Sequence, residues 1–349
     1  MNNAVSQRYV GPAITRAISV WGLLVLLILL MIIFSILRPD TFPTLFNIKS
    51  ILNNKSVQAL VALAVFIPMT ANHFDLSAGF NLGISQVLAI GLQGQGVPWW
   101  GAVAIVLIMG AFVGFANGFL VTRVKIDSFI ATLGTGTVLY GLNAWYTGGQ
   151  QVLADLPPPF LAISGSIGVV PLPAIYTLIC SLGLWIVFEY LPLGRYLYVL
   201  GASPRAAELN GISAKKYVTL GFVAAGTLAS FAGIVLQSQL QIGQSSVGQE
   251  YLLPAFTAAL LGATSVRPGR VNVWGTVLAV SVLAVTVAGL NQLGAPFFVE
   301  PLFNGSMLIL AVGLAVQASQ RRTQRGSDAD RAAASTAIVD SERPQELRR

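Results

Sequence analysis

The sequence predicts an all-α membrane protein with about ten transmembrane helices, on two observations. Between Ile18 and Gln320 the chain is a relay of long apolar stretches almost free of charge, and its Lys and Arg residues fall almost entirely in every second gap between them. A bilayer core offers no water to backbone N–H and C=O groups, so an apolar stretch crosses it as a helix that satisfies its own hydrogen bonds. Lys and Arg are retained on the cytoplasmic side during insertion, so their placement sets the orientation. Composition agrees: 55% of the 349 residues are hydrophobic and 9% are charged, with a mean hydropathy of +0.74. A soluble domain carries about 25% charge.

At about 1.5 Å per residue a crossing needs roughly 20 apolar residues. The first candidate, 18–37, is too long for the h-region of a signal peptide, and the Arg38-Pro39-Asp40 that follows is no small-residue cleavage site. It is therefore expected to stay as the first helix. The others are 56–72, 77–94, 98–121, 128–147, 170–190, 217–239, 251–265, 271–291 and 301–319. The second, third and eighth are short, as are the broken helices that transporters place near the midplane. This divides the chain into a cytoplasmic N-terminal segment 1–17, a membrane domain 18–320 and a tail 321–349. The tail is charged, Ser/Ala-rich and without apolar periodicity, which predicts disorder.

With the N-terminus inside, 17 of the 20 basic residues are cytoplasmic: Arg8 and Arg16; Arg123 and Lys125; Arg195, Arg205, Lys215 and Lys216; Arg267 and Arg270; and the tail. Arg38, Lys49 and Lys55 fall outside, all in the gap 38–55, which is expected to hold a short interfacial helix. Both termini are thus expected in the cytoplasm. The net charge of +7 is loop and tail charge that insertion requires, not a nucleic-acid surface. Cys180 and His73 are the lone residues of their types, so the chain holds neither a disulfide framework nor a Cys/His metal site. No nucleophile elbow, H-E-x-x-H motif or pair of intramembrane carboxylates occurs, which excludes an embedded enzyme.

Small residues recur every four positions at Gly110, Gly114 and Gly118, and again at Gly221, Ala225, Ala229 and Gly233. Such stripes let helix backbones approach closely, for packing or for a sliding gate. The gap 148–169, with Gly148-Gly149 and Pro157-Pro158-Pro159, reads as an ordered external loop.

The gap Leu193–Lys216 carries four basic residues and lies inside. Within it, Ser203, Pro204, Arg205, Ala206, Ala207 and Glu208 have helix-start chemistry, with Ser as N-cap and Pro at N1. Asn210 and Gly211 follow, and Gly suits a C-terminal stop. A helix of about two turns near 203–212 is either a docking surface for a soluble partner or an interfacial connector.

Four stretches carry a resemblance. Gly194-Arg195 … Gly201-Ala202-Ser203-Pro204-Arg205-Ala206-Ala207 … Asn210-Gly211-Ile212 resembles the coupling segment of ribose-type sugar permeases, the membrane subunits of ABC importers, with Ser203 and Asn210 departing from the usual Asn and Ser. Phe74-Asp75-Leu76-Ser77-Ala78-Gly79 resembles that family's D-L-S-V-G. Ala116-Asn117-Gly118-Phe119-Leu120-Val121 followed by Phe129–Thr135 resembles its N-G-x-L-V … F-I-x-T-L-G, and Gly262–Ser265 with Gly269-Arg270 and Gly275-Thr276 resembles its Gly-rich segment. The similarity covers about residues 20–318 in unchanged order.

The resemblance implies a type II ABC importer permease bundle in the bacterial cytoplasmic (inner) membrane. Its partners would be a second permease subunit, identical or paralogous, a cytosolic ABC ATPase that holds ATP and Mg, and an extracytoplasmic solute-binding protein. This chain has no G-x-x-x-x-G-K-[ST] loop and would itself carry no cofactor. It would form the path for a monosaccharide or polyol, with 203–212 seated in the ATPase and Arg205 and Glu208 setting the contact. Asp75, Ser77, Asn81, Asn117, Thr132, Thr135 and Asn143 are the candidate pathway residues; each is also of a type that commonly bonds only backbone or a neighbouring helix. Asp75 is either functional or a turn residue beside His73. A stand-alone secondary transporter is the alternative, as is an ABC permease for branched-chain amino acids, nucleosides or a signalling sugar.

Overall fold

The computed structural model describes residues 12–313, so the predicted tail 321–349 lies outside the described residues. In order the chain forms α1 (Pro12–Leu37), α2 (Leu45–Met69), α3 (Ser77–Gly94), α4 (Trp99–Phe119, ending in a π turn, Leu120–Val124) and α5 (Ser128–Thr147). A short α6 (Pro158–Leu161) and a two-residue hairpin, β1 (Ser166–Ile167) with β2 (Val170–Pro171), precede α7 (Leu172–Tyr190). There follow α8 (Pro192–Ala202), α9 (Pro204–Leu209), α10 (Ala214–Leu240), α11 (Val247–Gly262), α12 (Val273–Gln292) and α13 (Val299–Gly313). Among the described residues six helices are long and apolar enough to cross a membrane: α1, α2, α4, α7, α10 and α12. The segments predicted to be short at 77–94 and 251–265 are α3 and α11, of 18 and 16 residues.

Side-chain links tie the connections into two opposite ends. At one end Glu189 pairs with Arg267, Tyr198 Oη donates to Val271 O at 2.9 Å, Phe74 N–H donates to Ser128 Oγ at 3.1 Å, and Ser265 Oγ donates to Val20 O at 2.8 Å. At the other, Lys55 pairs with Glu300 at 3.1 Å, Lys49 donates to Ser166 and Thr41 to Gln292, and Val152 bridges to Gly243. The loops predicted to share one side of the membrane therefore meet at one end of the bundle.

The core lies around α10, which packs on α2, α3 and α4. The α4 glycines are needed for that approach: a Cβ at Gly114 would lie 2.1 Å from Phe222 O, and one at Gly110 would lie 2.6 Å from Gly226 O. The predicted α10 stripe turns elsewhere. A Cβ at Gly233 would meet Leu82 O of α3 at 2.6 Å, and Gly221 faces Ile67 of α2 and Leu197 of α8. Gly226 and Ser230, one position out of phase with that stripe, make the seam with α4. Both stripes are thus packing surfaces.

The gap 38–55 holds no separate interfacial helix. Thr44 Oγ1 accepts from Asn47 N–H at 3.2 Å and starts α2, which then runs without a break through Lys49 and Lys55. Hydrophobicity marks only the length of helix that suits hydrocarbon; at 25 residues α2 is longer than the roughly 20 that a crossing needs. The loop 148–169 is ordered, as expected: it forms α6 and the start of the hairpin and pairs with Gly243.

Candidate functional site

Two clusters that begin at the end of the bundle holding Glu189 and Arg267 contain most of the predicted residues; Asn143, bonded to Ser245 O, lies outside them. The first is the segment after α7. Pro192 opens α8, an eleven-residue helix, and Ser203 then breaks the backbone into an extended conformation. Ser203 Oγ accepts from Ala206 N–H at 3.4 Å, Pro204 takes the first helical position, and Asn210 Nδ2 donates back to Ala206 O at 2.8 Å. Gly211, at φ +76°, ends the turn as predicted. The helix that results, α9, is six residues, shorter than the two turns expected. Ala207 alone is buried, against a cluster that includes Leu197, Leu200, Val218 and Phe222. Ser203, Pro204, Arg205, Ala206, Glu208, Asn210 and Gly211 are exposed, and Leu209 is 75% exposed. Arg205 and Glu208 pair with each other at 3.1 Å in open solvent. The result is a knob held by one small residue and presenting a leucine flanked by charge.

The preceding helix α8 carries no predicted site residue and was not anticipated. It lies against the turn between α2 and α3, and a Cβ at Gly201 would stand 2.3 Å from Thr70 O. Thr70, His73, Tyr198, Thr264 and Arg270 line a cleft of about 680 Å³ between that turn, α8 and the α11–α12 loop. Burial lowers the His73 imidazole from its usual range, against the opposing pull of Asp127.

The second cluster is a buried polar network running outward from the 70–76 turn. Asp75 is 1% exposed, and its Oδ1 accepts from Ser77 N–H at 3.0 Å and Ser77 Oγ at 2.6 Å. Asn117 Nδ2 of α4 donates to Ser77 Oγ at 2.8 Å. Thr132 Oγ1 of α5 accepts from Leu76 N–H at 3.0 Å and donates to Ser128 O at 2.7 Å. Asn81 bridges to α10, donating to Gly226 O at 2.8 Å and accepting from Ser230 Oγ at 3.1 Å. Thr135 bonds only its own helix, through Ala131 O. Asn143 stands apart, with Nδ2 donating to Ser245 O at 3.2 Å. Burial pushes the Asp75 carboxyl up to about 6, offset in part by the two bonds from Ser77.

Ser77, Asn81, Asn117, Thr132 and Asn143 are all buried between helices, and Thr135 is half-buried. Ser85, which donates to Ser230 at 2.8 Å, and Gln86, which pairs with Gln237 at 2.7 Å, extend the network and were missed. The four-residue spacing of Ser77, Asn81 and Ser85 is the signal that would have found the stripe. Asp75 Oδ2, Asn117 Oδ1 and Asn143 Oδ1 are buried without a hydrogen-bond partner.

Among the described residues no three His, Cys, Asp or Glu side chains gather as metal ligands. What the arrangement offers is an exposed helix at one end of the bundle, packed through α8 onto the turn from which the polar network starts. The profile of a permease family, described as the permease component of a branched-chain amino acid transport system, matches residues 47–313.

The chain belongs to this permease family.

The permease is 33% identical over 295 residues to the ribose import permease protein of Escherichia coli, spanning 83% of this chain and 91% of that protein. To the ribose import permease protein of Bacillus subtilis it is 32% identical over 289 residues, 82% of this chain and 89% of the other. To a D-allose transport system permease protein of E. coli it is 28% identical over 295 residues, 84% of this chain and 90% of the other. No solved structure matches the permease. Membership in a transport family, together with the apolar helices, makes it a multi-pass membrane protein and a transport component.

Proposed function

We propose that this chain is the transmembrane permease subunit of a bacterial ABC importer in the inner membrane and forms the path for a monosaccharide or polyol. The observation that carries this reading is similarity along more than four fifths of the chain to proteins named as ribose and allose permeases. The chain crosses ten times, with α3, α5, α11 and α13 joining the six longer helices, and both termini are cytoplasmic. An even number of crossings places Arg195, Arg205, Arg267 and Arg270 on the side that retains Lys and Arg.

Transport is driven by a separate ATPase carrying ATP and Mg. Ser203–Gly211 seats in that ATPase, with Leu209 as the apolar contact and Arg205 and Glu208 as the charges around it. A solute-binding protein delivers the sugar at the opposite face, and a second permease, a copy or a paralogue, completes the path. The network of Asp75, Ser77, Asn81, Asn117 and Thr132 forms a stiff wall beside that path, which Thr135 and Asn143 on α5 extend. The exposed apolar side of α5, with Ile130, Val138 and Trp145, supports an interface with lipid or the second permease there.

The family's description favours one second reading, import of a branched-chain amino acid. A proton-driven carrier has less support, because such carriers need acidic side chains in or beside the spans, and of Asp75 and Glu189, which lie there, Glu189 is taken by Arg267. The test is uptake of labelled ribose, allose and leucine in cells carrying this chain with a cognate ATPase and binding protein. ATP-dependent uptake of a sugar is expected, and leucine uptake alone would replace the sugar with the amino acid. Glu208→Lys should cut uptake by about tenfold or more with unchanged membrane content, the loss expected when like charge meets a docking surface. Full uptake in that variant removes Glu208 from the contact.

A further inference from the structure

We propose that Tyr198, Glu189, Arg267 and Arg270 form a clamp that makes the end of α7, the α8–α9 segment and the α11–α12 loop move as one body. Given the importer function proposed above, the clamp would deliver motion imposed at α9 to α1, α11 and α12 as well as to α10.

The connections along the chain do not provide that link. Residues 210–213 join α9 to α10, whereas α11 is separated from α8 by the cleft of about 680 Å³. Force crosses that gap where side chains span it. Tyr198 reaches from α8, with its hydroxyl donating to Val271 O at 2.9 Å and its ring 4.5 Å from the Arg270 guanidinium. Glu189, at the last turn of α7, accepts from both terminal nitrogens of Arg267 and lies 4.0 Å from Arg270. A two-pronged Arg–carboxylate pair resists rotation as well as separation. Two neighbouring elements, α7 and α8, thus grip the same five-residue stretch, 267–271.

The gripped loop is itself stiff. Val266 has φ +61°, a strained conformation for a β-branched residue that persists only where the surroundings impose it. Here Val266 N–H donates to Val20 O at 3.1 Å and Ser265 Oγ donates to the same carbonyl at 2.8 Å, which ties the loop to α1. Asn272 closes the far side: its Nδ2 donates to Ser265 O at 3.0 Å and Gly262 O at 3.2 Å, and its Oδ1 caps α12 through Gly275 N–H at 2.8 Å. A displacement of Tyr198 therefore reaches the end of α11, the start of α12 and α1 through hydrogen bonds with no flexible link between them. The ion pair is partly solvated and contributes little to folding, so positioning rather than stability explains the arrangement.

The test uses Tyr198→Phe, which keeps the ring, and Glu189→Gln, which keeps the shape. In the purified full-length chain, amide hydrogen exchange should rise in both 192–202 and 263–271 in each variant, because each segment loses the contacts by which the other holds it closed. In proteoliposomes with the ATPase and binding protein, ATP hydrolysis should persist while solute moved per ATP falls about fivefold or more, the lower range of coupling between linked sites. Exchange that rises in only one segment or in neither overturns the clamp, and so does an unchanged ratio of solute to ATP in both variants. A wild-type assembly that shows no ATP-driven uptake counts against the importer reading instead, and the exchange result then decides the clamp by itself.

Discussion

Asp75 is the residue whose environment departs most from its ordinary chemistry. Its carboxyl, in the turn between α2 and α3, is pushed from 3.8 to about 6 by burial, so the fold favours the neutral form. A group whose pKa rises on folding lends its full stability below the unfolded value and loses it as pH climbs toward the folded one. The penalty therefore opens between about pH 4 and 6 and stays constant above, on the order of 3 kcal/mol at its upper limit. Asp75→Asn accepts the same bonds from Ser77 without a charge. It should melt several degrees above the wild type at pH 8 and together with it near pH 4. A variant that melts lower at pH 8 would mean that the carboxylate has a cationic partner. The stretch Phe74–Gly79 around Asp75 was visible in the sequence, but its burial was not, because that depends on α4, α5 and α10 closing over the turn.

At the scale of elements, the α4–α10 seam and the outer side of α5 make opposite demands on glycine. A side chain at Gly114 meets backbone, which cannot yield, so Gly114→Val should destabilise the bundle by about 2 kcal/mol or more and lower its yield in the membrane. Gly134 on α5 has nothing within 4 Å of an added Cβ, so Gly134→Val should leave the monomer's melting unchanged. If α5 lies against the second permease and not against lipid, the same variant should weaken assembly, measured by the mass of the purified complex. Loss of yield in Gly134→Val with an intact Gly114→Val would reverse the assignment of these two faces. The small-residue repeat on α4 was legible in the sequence. Its partner positions were not, since Gly221, Ala225, Ala229 and Gly233 share a face that turns to α2, α3 and α8, and Gly226 with Ser230 takes the contact. Periodicity says that a helix has a close-packing face and leaves open which neighbour fills it. Helix α9 was read correctly because its cap chemistry is local, whereas α8 begins at a Pro after an apolar span and has no such signature.

For the whole molecule, the arrangement of ends makes the orientation testable. In a Cys180→Ala background, Ser203→Cys should resist a membrane-impermeant thiol reagent in sealed cells and react after permeabilisation. Ser166→Cys, in the exposed hairpin beside Lys49, should react in sealed cells. The reverse pattern would invert the protein, and reaction of both from outside would remove the proposed ten-crossing topology.

The sequence by itself determined that this is a helical membrane protein of the permease family, with a capped helix between α7 and α10. Apolar length, charge placement and capping act within a few residues of one another, so they survive reading along a line. Tertiary structure alone decided which polar groups are buried and that Tyr198 and Glu189 hold a loop some seventy or more residues away. Those outcomes depend on which helices share the interior, and that is set by packing between segments far apart in the chain.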